Sequence, residues 1–155
     1  MKKYNIVILY NIRSSENVGA MFRTADAAGV EKIYLIGYTP TPVDRFGRPN
    51  PKIAKAALGA EKFVPWEHRK TIAPLLSKLK KEGCHIVGVE QAPDSVNYKK
   101  LKLKNKNVFI MGAEVTGIPK SVLQKCDIIA EIPMRGKKES LNVSVALGVI
   151  LFNYF

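Results

Sequence analysis

The chain has 155 residues, 46% of them hydrophobic, with 25 Lys and Arg against 13 Asp and Glu, a formal net charge of +12. That length suits a single domain spanning residues 1–155, able to bury roughly two-thirds of its unfolded surface without disulfide staples, and the apolar content excludes a disordered chain. The charge excess calls for an anionic partner, nucleic acid before any other. No uncharged apolar run reaches the roughly 18 residues of a membrane span. The opening apolar run turns polar at Asn11 and Arg13, too early for a signal peptide. Cys84 and Cys126 lie far apart without metal-ligand spacing, which suggests reduced core thiols in a cytoplasmic protein; His68 and His85 complete no metal pattern either.

In chain order, residues 4–10 are almost continuously apolar and β-branched, which predicts a buried parallel strand. Residues 11–17 are turn-like, with Ser14 or Ser15 able to cap a helix over residues 18–28 that Gly29 ends. A second strand over residues 32–37 completes a βαβ unit. Residues 38–51, rich in proline, read as a loop with room for mobility, and residues 52–57 as a short helix. A short strand is expected at residues 63–66. An amphipathic helix is expected over residues 67–82, with His68 on its surface and Pro74 resetting its start. Strands at residues 85–90, 108–112 and 127–132 follow, separated by a polar lysine-rich stretch and by a turn with a short helix at residues 117–125. Strands alternating with helices argue an α/β fold with a mostly parallel sheet flanked by helices.

The last helix, residues 143–155, is polar only at Ser144, Asn153 and the Tyr154 hydroxyl. A helix apolar nearly all round must be covered on more than one side. Its own sheet covers one side and a second copy of the chain is expected on the other, with Gly148 allowing close approach. Ser140 is expected to cap this helix.

Three stretches cluster polar residues and glycines at predicted strand-to-helix junctions, where open α/β sheets bind ligands. They are Asn17-Val18-Gly19-Ala20-Met21-Phe22-Arg23-Thr24-Ala25 with Gly29; Gly112-Ala113-Glu114-Val115-Thr116-Gly117; and the run from Ile132 through Arg135 and Ser140-Leu141-Asn142 to Ala146. Neither a G-x-G-x-x-G fingerprint nor a G-x-x-x-x-G-K-[ST] loop is present, which disfavours a dinucleotide fold or a P-loop NTPase. In this order and spacing the three stretches, together with Lys55-Ala56-Ala57-Leu58-Gly59-Ala60-Glu61, resemble the SpoU (TrmH-like) branch of the SPOUT RNA methyltransferases over essentially the whole chain.

That resemblance implies a deep C-terminal trefoil knot, S-adenosyl-L-methionine as methyl donor, and a homodimer, through the C-terminal helix and the first motif, whose active site draws on both subunits. It implies methyl transfer to a ribose 2′-hydroxyl of tRNA or rRNA; a non-catalytic RNA-binding subunit that kept the fold is the alternative. Arg23 is the implied catalytic residue. A guanidinium with a pKa above about 12 suits an electrostatic clamp better than a base. Asn17 would orient Arg23 or the facing loop, or simply cap the helix. Glu114 would fix Arg23 across the dimer or join the cofactor network. Ser140 and Asn142 match polar positions near the transfer site. Gly112, Ile132, Met134 and Leu141 are expected at the cofactor, with Met111, Gly117 and Ser140 beside them and Glu90 and Gln91 on the same edge. RNA contact is expected from Arg13, Arg45, Arg48, Arg135, Lys137 and Lys138, and no metal is expected.

Overall fold

The computed structural model describes residues 2–154. Among these residues seven strands form one sheet: β1 (Tyr4–Tyr10), β2 (Lys32–Ile36), β3 (Trp66–Arg69), β4 (His85–Val89), β5 (Val96–Asn97), β6 (Lys106–Met111) and β7 (Ile128–Glu131). Their order across the sheet is β3-β2-β1-β6-β4-β7-β5, and each pairing is parallel. Five α-helices cover the two faces: α1 (Ser15–Ala27), α2 (Pro51–Ala57), α3 (Ala73–Lys81), α4 (Lys120–Leu123) and α5 (Val143–Phe152). The α/β fold with a parallel sheet is the one the alternating pattern predicts.

The continuous apolar run of β1 has a direct cause. Successive side chains point to opposite faces, and both faces are covered. Val7 and Leu9 enter one core with Phe22 of α1, Ile53 of α2 and Leu147 of α5, while Ile6 and Ile8 enter the other with Leu75, Leu76 and Leu79 of α3. Each such fully buried side chain is worth roughly 1.5–3 kcal/mol. Helix α1 can lie close on α2 because Gly19 has no side chain: a Cβ there would sit 2.5 Å from the Ile53 carbonyl oxygen and 2.7 Å from Ala56 Cβ.

Two boundaries differ from expectation. Residues 66–69 form β3 beside β2, so Glu67 and His68 are strand residues, and α3 begins only at Ala73. Pro74 explains the late start. It lacks the N–H of a helix interior and is tolerated only in the first turn, where it stands here. Residues 38–51 also carry more internal order than a free loop. Val43 bridges Pro49, and the Asp44 amide donates to the Arg48 carbonyl at 2.9 Å.

The amino edge of the sheet is closed by polar side chains that satisfy one another. Asn107 is fully buried; its Nδ2 donates to Asn5 Oδ1 at 3.1 Å and to the Lys104 carbonyl at 2.8 Å, and its Oδ1 accepts from the Lys104 amide at 2.9 Å. At the opposite edge the register aligns the carboxyl ends. Leu9 and Val89 both pair with Met111, and Val89 pairs with Ala130. The segments that leave β1, β4, β6 and β7 therefore emerge side by side, which is where an α/β sheet presents a site.

Candidate active site

A cavity of about 530 Å³ opens at this carboxyl edge, beyond the ends of β4, β6 and β7. Its wall is built from three segments. After β4 come Glu90 and Gln91; after β6 come Gly112 to Gly117; after β7 come Ile132, Met134 and the run from Glu139 to Val143. Gly112 and Gly117 make the wall thin. A Cβ on Gly112 would lie 2.6 Å from the Gly117 backbone, and Gly117 adopts φ +67°, with an added Cβ directed into the Glu90 carboxylate. Glu90 Oε2 accepts from the Ile118 amide at 2.9 Å and Oε1 from the Gln91 amide at 3.0 Å, so this side chain pins the loop after β6 to the end of β4. Gln91 Nε2 in turn donates to the Glu139 carbonyl at 2.8 Å and draws in the third segment.

One hydrogen-bond chain ties the three motif segments together. Asn142 Nδ2 donates to Asn17 Oδ1 at 3.1 Å, and Asn17 Nδ2 donates to Glu114 Oε1 at 3.3 Å. Glu114 Oε2 is within 3.4 Å of the Arg13 amide. Asn17 is held at the start of α1 because its own amide donates to the N-cap Ser14 Oγ at 3.1 Å. The expected Ser140 cap is displaced by two residues. Asn142 caps α5, its Oδ1 accepting from the Ser144 amide at 2.9 Å and the Val145 amide at 3.4 Å. Asn142 uses the two ends of its side-chain amide for separate tasks, Oδ1 to cap the helix and Nδ2 to reach Asn17. Ser140, free of that task, is exposed on the cavity wall beside Leu141.

The other expected positions divide into two groups. Met111, Gly112, Gly117, Ile132, Met134, Leu141, Glu90 and Gln91 all line the cavity, as do Glu114 and Asn142. Arg23 does not. It is exposed on α1, six residues past Asn17 and on another face, and among the described residues it makes no ion pair or hydrogen bond, with Asp26 or with Glu114. Gly148, expected to allow close approach of a second copy, is half-buried near Thr24 of α1 in its own chain, where an added Cβ would lie 3.8 Å from Cγ2. The outer side of α5 still exposes apolar surface, with Val145 and Phe152 each 51% accessible.

Of the basic residues, Arg135, Lys137 and Lys138 lie exposed on the loop between β7 and α5, which borders the cavity. Arg13 follows β1 on the same edge. Arg45 and Arg48 stand apart, on the hairpin of residues 43–49.

The SpoU rRNA Methylase family model matches residues 4–152. The chain belongs to the SpoU rRNA methylase family. It is 37% identical over 147 residues to the 23S rRNA (guanosine-2′-O-)-methyltransferase RlmB of Pseudomonas aeruginosa, covering 95% of this chain and 56% of the relative. It superposes on the AdoMet-bound rRNA methyltransferase of Sinorhizobium meliloti with a TM-score of 0.87 and 27% identity, covering 99% of this chain and 56% of the other. This SpoU-family chain thus spans just over half the length of those relatives. A structure reported for the 2-OH methylation of C/U34 on tRNA is matched over 93% of its length, with a TM-score of 0.82 and 26% identity.

Within this family member, sequence reading missed four residues that support the site. Thr39 is buried behind it, accepting from the Ile12 amide at 3.0 Å and donating to the Ile36 and Leu9 carbonyls, which fixes the segment that carries Arg13. Asn11 takes a positive φ of 52° and accepts from the Tyr38 amide at 3.3 Å through Oδ1. Glu139 and Glu131 add to the cavity wall. The polar turn after β1 was the available signal for Asn11; for Thr39 the local bond to Ile36 marks only a turn, and its partners Leu9 and Ile12 are remote in sequence. No group of three or more His, Cys, Asp or Glu able to hold a metal occurs among the described residues, and no described helix is long and apolar enough to cross a membrane.

Proposed function

We propose that the chain is an S-adenosyl-L-methionine-dependent RNA ribose 2′-O-methyltransferase, its residues acting as one catalytic domain in the cytoplasm. The observation that carries this reading is the Asn142–Asn17–Glu114 chain, which ties the first motif segment to the cavity that the other two line. The cavity suits the methyl donor. Its volume falls in the ordinary range for a cofactor-sized ligand, and its two glycines leave backbone accessible. Met111, Ile132, Met134 and Leu141 offer apolar surface for an adenine, and the carboxylates of Glu90 and Glu114 suit a cationic sulfonium. When bound, the cofactor supplies the electrophilic methyl group. The rest of the work falls to the protein: holding the ribose hydroxyl, the methyl acceptor, in line and within roughly 3 Å of the methyl group, and favouring loss of its proton to solvent.

Arg23 is the residue assigned to that second task. Its permanent positive charge stabilises the developing alkoxide, an effect worth about 2.7–4 kcal/mol for a well-placed donor. Because Arg23 lies off its own chain's cavity, the reading includes a homodimer in which α1 of one protomer completes the other's site. The unpaired Arg23 and the apolar outer side of α5 support this. The knot implied by the family likeness belongs to the proposal too; the seating of β7 between the earlier strands β4 and β5 is compatible with such threading.

Transfer RNA and ribosomal RNA are both carried as substrates. The test is transfer of labelled methyl from S-adenosyl-L-methionine to total RNA, followed by mapping of the alkali-resistant linkage. Incorporation at one ribose is expected. Cofactor binding without transfer to any RNA would instead favour a non-catalytic RNA-binding subunit.

A further inference from the structure

A second concavity lies on the same sheet edge, beyond the ends of β2 and β3. It encloses about 550 Å³ and is lined by Tyr38, Pro40, Arg45, Phe46, Arg48 and His68, among others. Two aromatic rings are presented to solvent here: Phe46 is 67% exposed and Tyr38 57% exposed. Both have a guanidinium above them. Arg45 Cζ lies 4.8 Å and Arg48 Cζ 5.0 Å from the Phe46 ring centroid, and Arg13 Cζ lies 6.0 Å from that of Tyr38. Phe46 contributes nothing to either core, yet the hairpin beneath it is firmly tied. Asp44 Oδ1 accepts from the Phe46 and Arg48 amides at 2.8 and 3.0 Å, and Asp44 Oδ2 accepts from Arg48 Nε at 2.7 Å. The hairpin is anchored to α1 by Asn50 Nδ2, which donates to Ser15 Oγ at 3.1 Å.

We propose that this groove is a stacking site for an unpaired base of the RNA strand that flanks the target nucleotide. The proposal rests on the RNA methyltransferase reading and adds a subsite to it. Flat aromatic faces bordered by guanidinium groups are what unpaired bases and their phosphates together require. The charge is complementary to that ligand: the lone carboxylate of the lining, Asp44, is already paired with Arg48, while Arg45 has no anionic partner among the described residues. An acidic peptide would use the charges and leave the rings idle. The location also fits. Arg13 spans the two sites, its amide on Glu114 of the cavity network and its guanidinium over Tyr38. With β1 alone between β6 and β2, the facing rims of the two sites are about 10 Å apart at the usual ~4.8 Å strand spacing. A strand seated with one ribose in the cavity would cross Arg13 and lay a neighbouring base at Phe46.

The test measures anisotropy of a short fluorescein-labelled single-stranded RNA of mixed sequence and of the matching abasic ribose-phosphate probe, using the full chain. Phe46→Ala is expected to weaken binding of the intact RNA by about tenfold, to leave the abasic probe unaffected, and to leave the salt dependence unchanged. Arg45→Gln should weaken both probes and reduce the slope of log affinity against log salt by about 0.7. Phe46→Trp should keep wild-type affinity, with its added tryptophan emission quenched by the intact RNA. That readout stands even if the alanine variant folds poorly. Wild-type affinity in Phe46→Ala, equal losses on the two probes, or unquenched emission in Phe46→Trp would overturn the stacking site while leaving the methyltransferase reading in place. A wild-type chain that bound neither probe would bring down that reading, and this proposal with it.

Discussion

At the amino edge of the sheet Asn107 is sealed from solvent with its hydrogen-bonding capacity filled by Asn5 and Lys104. At the carboxyl edge Asn17, Glu114 and Asn142 are linked just as specifically but stay within reach of water and ligand. The difference is one of purpose. A buried amide network specifies register, since any slip strands polar atoms in the core. An accessible one holds side chains in place while leaving lone pairs and backbone groups open to a ligand. The first edge should therefore respond to mutation in stability alone, the second in ligand binding or activity as well.

The sharpest break of this contrast uses Arg23→Ala. Turnover should fall by about a hundredfold or more, the equivalent of roughly 2.7–4 kcal/mol, with cofactor affinity and melting temperature unchanged. Loss of cofactor affinity in calorimetric titration would show that Arg23 has been given the wrong task. Next in size, Gly117→Ala places a Cβ at φ +67° and against Glu90, so cofactor affinity should drop about tenfold and the protein should lose about 1–3 kcal/mol. Asn107→Ala leaves buried partners unpaired and should cost about 1–3 kcal/mol in urea unfolding, with turnover per folded molecule unaltered. A change in turnover there would erase the distinction between the two edges.

The smallest effect concerns His85, also at the amino edge. Burial, and then the nearby positive Lys104, hold its pKa below the ordinary value, against the opposing pull of Asp127. Among the described residues its Nδ1 is buried without a partner. The folded chain then binds a proton less readily than the unfolded one, so stability is retained above about pH 6.5 and declines as pH falls below it. His85→Gln should flatten that decline in thermal melts taken between neutral and mildly acidic pH, while ligand binding at the other edge is unaltered.

The strands at the centre of the sheet could be read from the sequence because burial on both faces leaves a continuous apolar run, as in Tyr4–Tyr10. The edge strand β3 was legible only in part: a short strand was expected at residues 63–66, but Glu67, His68 and Arg69 look like the first turn of the helix that follows. Strand order was equally closed to inspection, since β6 and β7 insert between earlier strands and no local spacing records a long-range pairing. The cavity wall was legible residue by residue, because its glycines and polar side chains sit at junctions. That Asn17 touches Asn142, 125 positions away, was not, nor was the replacement of Ser140 by Asn142 as the cap. A cap position depends on where the chain turns, and either residue type qualifies by composition.

Asn142 has a dual engagement whose effect extends beyond geometry. The same amide that terminates the orphaned N–H groups of α5 also fastens that helix to the first turn of α1. Fraying at the start of α5 therefore unfastens the wall of the cavity, and the two events share one free energy. A ligand that fills the cavity must slow deuterium uptake at the Ser144 and Val145 amides, although neither need touch it, and occupancy can be followed from the helix terminus alone.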